Sequence, residues 1–146
     1  MDVQVAVLCD AATDENGKLS LLGAFDTLLL TQLPGVHPQC AIALRIKFGQ
    51  EDKGQHRLRL SFVDADGRAV MPNLPTLPIN VALADGADFT TRNFIINLQR
   101  IRFDRAGPYS IDLFWDEQQI ASIPLVVHYL PPQRFRPTQD TGPEQA

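Results

Sequence analysis

Residues 40–48 constrain the fold of this chain more than any other stretch. Cys40, Ile42, Leu44, Ile46 and Phe48 stand on one phase, and Ala41, Ala43, Arg45 and Lys47 on the other. A period of two sends successive side chains to opposite faces of an extended backbone, so the segment predicts a strand with one dry face. The pattern recurs along the chain. Val3, Val5, Val7 and Cys9 alternate with Asp2, Gln4 and Ala6, and Leu58, Leu60 and Phe62 alternate with Arg57, Arg59 and Ser61. Ile79, Val81 and Leu83 repeat it, as do Ile111, Leu113 and Trp115, and then Ile123, Leu125, Val127 and Tyr129. Turn formers separate the runs: Asp14–Gly17 with its Asn-Gly pair, Asp64–Gly67, Asp85-Gly86 and Asp116–Gln119. With almost no helical periodicity, the chain is expected to be all-β, an antiparallel β-sandwich of about 7–9 strands.

Three segments are less regular. Lys18 to Leu30 is apolar and is expected to break near Gly23 or Asp26, and Pro34, Gly35 and Pro38 predict a loop. Residues 89–101 admit two readings. Phe94, Ile96 and Leu98 fit a strand, whereas Phe94, Ile95, Leu98 and Ile101 fit one face of a helix; the β-rich surroundings favour the strand. Pro124 predicts an edge or a bulge in the last strand. The sandwich is expected to occupy residues 1–130. Residues 131–146 hold four prolines and one large apolar side chain, Phe135, and are expected to form a disordered Pro-rich tail.

Ile101-Arg-Phe103, then Gly107-x-Tyr109 and an alternating strand, resembles the tyrosine corner of immunoglobulin-like sandwiches. There a tyrosine opens a central strand and its hydroxyl bonds back to upstream backbone. Gly107 and Tyr109 are therefore assigned a structural role. Three further stretches extend the resemblance: the opening Val3-Gln-Val-Ala-Val-Leu-Cys-Asp10, then Gly17-Lys-Leu-Ser-Leu-Leu-Gly-Ala-Phe-Asp26, and Leu33-Pro-Gly-Val-His-Pro38 before a long strand. Together they resemble a family of small bacterial β-sandwich proteins known only as a domain of unknown function, over roughly residues 1 to 130. The resemblance implies a fold and a bacterial source; it implies no site.

Chemistry is hard to nominate. His37, His56 and His128 lack metal-ligand spacing and read as loop or surface residues. Asp64-x-Asp66-Gly67 and the Asp85, Asp88 pair read as turns ahead of a calcium site. None of Ser20, Ser61, Ser110 and Ser122 lies in a Gly-x-Ser-x-Gly elbow, and no glycine-rich phosphate loop is present. Cys9 and Cys40 read as buried reduced thiols, with a disulfide or redox pair as the alternative. Trp115 and Tyr109 read as core.

The net charge of −4, with mixed signs, disfavours a nucleic-acid partner, and no apolar run suits a membrane span. The opening residues lack the positive start of a secretory signal, which places the expectation in the cytoplasm. No cofactor, metal or catalytic residue is expected. The expected function is a non-enzymatic interaction module that binds a protein or self-associates. A sandwich binding carbohydrate or calcium, and a small enzyme with a site built from distant loops, are the alternatives. Two sets of residues are candidates for partner binding. Arg45, Lys47, Arg57 and Arg59 would form one basic stripe facing an acidic partner if their strands pair, and Arg134, Phe135 and Arg136 would form a short docking motif.

Overall fold

The computed structural model describes residues 1–132. They form nine strands: β1 (Asp2–Glu15), β2 (Lys18–Phe25), β3 (Thr27–Leu30), β4 (Gly35–Gly49), β5 (Gly54–Asp64), β6 (Thr76–Val81), β7 (Phe89–Phe103), β8 (Gly107–Trp115) and β9 (Gln118–Tyr129). A four-stranded sheet runs β2-β1-β4-β7, and a five-stranded sheet runs β3-β9-β8-β5-β6. One helical turn, Gln50–Asp52, lies between β4 and β5, and no helix among the described residues is long and apolar enough to cross a membrane.

The alternation predicted from sequence decides which side chains fill the space between the sheets. Ile42, Leu44, Ile46 and Phe48 of β4 meet Leu58, Leu60 and Phe62 of β5 and Ile111, Leu113 and Trp115 of β8, all buried. Phe48 lies against Trp115 across the two sheets, with ring centroids 5.0 Å apart. Residues 89–101 are strand throughout. Their helix-like spacing has a physical origin: Arg100 takes a positive φ of 54°, so Gln99 and Arg100 both face solvent and the inward phase moves from Leu98 to Ile101. A phase slip in a strand mimics a longer period.

Three features depart from the sequence expectation. First, the sheets are not wholly antiparallel. The segment 18–30 breaks at Asp26, and the chain there leaves the four-stranded sheet; β3 then pairs in parallel with β9. Second, the proline-flanked segment around His37 is no loop but the start of β4, with His37 opposite Ile101. Third, Val3, Val5, Val7 and Cys9 do not share a face. The register slips between Val3 and Val5, so Val3, Ala6 and Leu8 face the inter-sheet core, while Val7 and Cys9 face the far side of the sheet.

That far side is also dry. Cys9, Ala41 and Ala43 are fully buried there, packed with Val7, Ile95, Ala12, Leu19 and Leu21. The last three belong to the β1–β2 hairpin, whose outer half folds back over the sheet. Gly23 allows the bend: its φ of +68° is open to glycine, and a Cβ there would collide with the Asp10 side chain. Small residues at 9, 41 and 43 leave room for the hairpin.

The corner before β8 carries a specific hydrogen bond. Gly107 has a φ of +128°, and Tyr109 beyond it is buried with its ring edge-on to Phe103, centroids 5.0 Å apart. The Tyr109 hydroxyl donates to the Arg105 carbonyl at 2.5 Å. Tyr109→Phe keeps the ring and orphans that carbonyl, so it should cost about 0.5–1.5 kcal/mol. A denaturant midpoint unchanged from wild type would remove the bond from any account of stability.

Candidate interaction surfaces

The structure divides the four basic residues expected in one stripe. Their strands do not pair: β4 lies in the four-stranded sheet and β5 in the five-stranded one. The polar phases of two facing sheets point in opposite directions, so Arg45 and Lys47 stand on one outside of the molecule and Arg57 and Arg59 on the other. Three of the four are also engaged. Arg45 donates to the Gln4 side chain, to Asn93 Oδ1 at 2.9 Å and to the Gly17 carbonyl at 3.0 Å. Gly17 is the tip of the folded-back hairpin, and Asn93 donates to the same carbonyl. Arg45 is thus the clasp that holds the hairpin down. Lys47 places its ammonium 4.6 Å from the Phe89 ring centroid. Arg59 sits over the Phe114 ring and pairs with both carboxylate oxygens of Glu117 at 3.0 and 3.1 Å. Arg134, Phe135 and Arg136 lie outside the described residues.

Cys9 and Cys40 are on adjacent strands, but alternation sends them to opposite faces. Cys9 lies under the hairpin and Cys40 in the inter-sheet core, and both thiols are free. Burial pushes the Cys40 thiol up to about 11 and raises Cys9 as well. A thiol held protonated is a poor nucleophile.

His56 is the histidine with a defined role. It sits at the inward end of β5, stacked on Trp115 with centroids 4.6 Å apart. Its Nε2 donates to the Asp52 carbonyl at 2.7 Å, and its Nδ1 lies 2.5 Å from Asp116 Oδ2. A carbonyl and a carboxylate are both acceptors, so both ring nitrogens must donate and the imidazolium is the form that fits. The hydrogen bond to Asp116 raises the His56 pKa above 6.5, against a smaller opposing effect of burial; the same bond comes first in holding Asp116 below the usual carboxylate range. Asp116 also accepts from the Arg57 amide, which ties the β8–β9 turn to β5.

The turn at Asp64–Gly67 explains its own carboxylates. Asp64 Oδ1 accepts from the amides of Asp66 and Arg68, and Oδ2 accepts from Arg105 at 3.1 Å, with Asp66 bonded to the same arginine. Among the described residues no three acidic, histidine or cysteine side chains gather as metal ligands. Sequence reading missed Arg105, Arg68 and Arg102, which converge here. Their signal lies in the pairing of Asp64 with Tyr109, which brings the β5–β6 and β7–β8 loops to one end of the sandwich.

An apolar strip, also missed from sequence, marks the outer face beside β3. Leu29 is 63% exposed and Val126 37%, and exposed Pro108 stands directly opposite Val126 in the ladder. Tyr129 is also exposed, at 48%, on the other phase of β9 at the strand's end, and Leu130 beyond it at 53%. Pro124 continues the strip, and its missing N–H causes no loss. Val126 donates to Asp26 at the near end of β3, so the nitrogen two residues earlier points to the same side, where β3 has not yet begun.

Residues 4–128 match a family described as a family of unknown function (DUF6941). The chain belongs to that family. The DUF6941 match spans all nine strands except the outermost residues of the first and last. No curated protein matches the chain.

Two contacts in this DUF6941 domain give measurable expectations. Arg45→Ala should cost about 1–3 kcal/mol and speed amide exchange in residues 12–21 while the inter-sheet core stays protected; uniform exchange behaviour would show that the hairpin needs no clasp. For His56, a raised folded-state pKa means its contribution is complete below about 6.5 and is lost as pH rises through the folded value. The melting temperature should therefore decline above about pH 6.5, and His56→Gln should flatten that decline. Parallel curves for the two proteins would contradict the linkage.

Proposed function

We propose that the chain is a non-enzymatic protein-interaction module, bacterial and cytoplasmic, on an immunoglobulin-like sandwich, and that the strip beside β3 is its contact surface. The observation that carries the reading is the grouping of Leu29, Val126, Pro108 and Pro124 on one solvent-facing side, next to the open edge of a four-residue strand. Apolar side chains grouped on an exposed face are costly to leave in water and are a feature of protein contact sites; the register places the polar Thr27 beside Val126 and His128 beside Leu29 within the same face. An unpaired strand edge adds free backbone donors and acceptors for a partner.

Other features support the remaining parts. The Tyr109 hydroxyl bonded four residues upstream fits an immunoglobulin-like corner. Two free, buried cysteines on opposite faces of one sheet suit a reducing compartment. The His56–Asp116 pair is absorbed in holding a turn, which favours binding over catalysis.

The test is a double charge insertion, Leu29→Glu with Val126→Glu. Both sites face solvent, so the melting temperature should move by only a few degrees. Binding to whatever the wild type captures, or self-association read by sedimentation velocity, should weaken at least about tenfold. A variant that keeps the same bound proteins and the same sedimentation behaviour would eliminate the strip as the contact.

A further inference from the structure

A cleft of about 420 Å³ opens at the end of the sandwich between the β5–β6 and β7–β8 loops, with Arg68, Val70, Arg102, Asp104, Arg105 and Asp64 among its walls. Its size falls in the range of small-molecule sites, roughly 300–1,000 Å³. We propose that this cleft binds the phosphate group of a small phosphorylated molecule through the guanidiniums of Arg68, Arg102 and Arg105.

The three arginines line the cleft and keep unused donors. Arg105 spends a single terminal nitrogen on both Asp64 and Asp66, which leaves its Nε and its other terminal nitrogen. Arg102 spends Nε on Asp104 at 2.8 Å and keeps both terminal nitrogens. Arg68 has no ion-pair partner among the described residues; its amide, not its side chain, bonds to Asp64. The carboxylates present are largely occupied. Asp64 accepts two amides and Arg105, so it anchors that guanidinium at the cleft wall, and Asp66 stands on the far side of Arg105, lining a neighbouring cavity of about 220 Å³. Three guanidiniums then outnumber the two carboxylates that line the cleft itself, in a chain whose net charge is −4.

Geometry selects the ligand class. A carboxylate is planar and is satisfied by one guanidinium fork. A tetrahedral phosphate offers oxygens in several directions, which suits guanidiniums carried by the end of β7 and by the two loops beside it. The cleft also exceeds the volume of one phosphate, and Ala69 with Val70 supplies an apolar wall. A phosphate monoester with an organic substituent fits both features. This site is separate from the strip beside β3 and does not depend on it.

The test is titration of the full chain with inorganic phosphate, phenyl phosphate and acetate at matched ionic strength, followed by backbone amide NMR. Both phosphates should give saturable shifts confined to residues 64–70 and 102–109, with phenyl phosphate the tighter. Arg68→Ala and Arg102→Ala should each weaken binding about tenfold or more. Neither side chain holds the core, so the melting temperature of both variants should stay near that of wild type, which separates lost binding from lost folding. Shifts no larger than those produced by sodium chloride, equal saturation by acetate, or affinity unchanged in both variants would overturn the proposal.

Discussion

The structure depends on a strand that is buried on both of its faces. From Cys40 to Leu44, every residue of β4 is removed from water. A central strand of a two-layer sandwich ordinarily keeps one wet face. Here the inner row packs between the sheets, and the outer row of Ala41 and Ala43 is sealed by the hairpin of β1 and β2. The sandwich therefore carries a partial third layer, and the alanines and Cys9 are small because that layer lies close. Arg45, one pleat beyond Ala43 on the same face, supplies the polar fastening. Its fan of donors reaches two strands of the sheet and the hairpin tip at once.

Folding the hairpin back has a consequence at the sheet edge. β2 reaches β1 only from Leu8 onward, and the chain then crosses at Asp26 to the other sheet. The crossing ends in β3, a short parallel edge that leaves Leu29 and the neighbouring outer residues of β9 facing solvent. The same topology separates the two proposed sites. The apolar strip lies on a sheet face, where alternation puts side chains outward whatever their polarity. The arginine cleft lies at an end, where the loops after β5 and β7 converge because β5 pairs with β8.

Charged residues illustrate how far local sequence can be trusted. Arg45 and Arg59 both alternate with apolar neighbours and both look like solvated surface. In the fold, one clasps a hairpin and the other stacks on Phe114 and pairs with Glu117. An exposed pair such as Arg59 with Glu117 contributes little to stability because water screens it. Arg45 differs because its partners come from three separate segments. Histidines show the same divide: His56 finds the Asp52 carbonyl four residues upstream but gains its carboxylate partner only when Asp116, 60 residues away, closes the turn beside it.

The sequence by itself determined the all-β class and the inward phases of the regular runs in β4, β5, β8 and β9. These follow from side-chain period and turn chemistry, which act over a few residues. It also marked the break in residues 18–30, because Gly23 and Asp26 interrupt a leucine-rich run. Only the tertiary structure decided which strands are neighbours, and with that everything that joins distant segments. It split Arg45 and Lys47 from Arg57 and Arg59, turned Cys9 away from Cys40, and made β3 parallel to β9. It also gathered Arg68, Arg102 and Arg105 around one cleft. Alternation tells a residue which face it occupies, but it carries no information about what lies across that face. That is set by how two sheets and a folded hairpin jointly exclude water, a property of the whole chain.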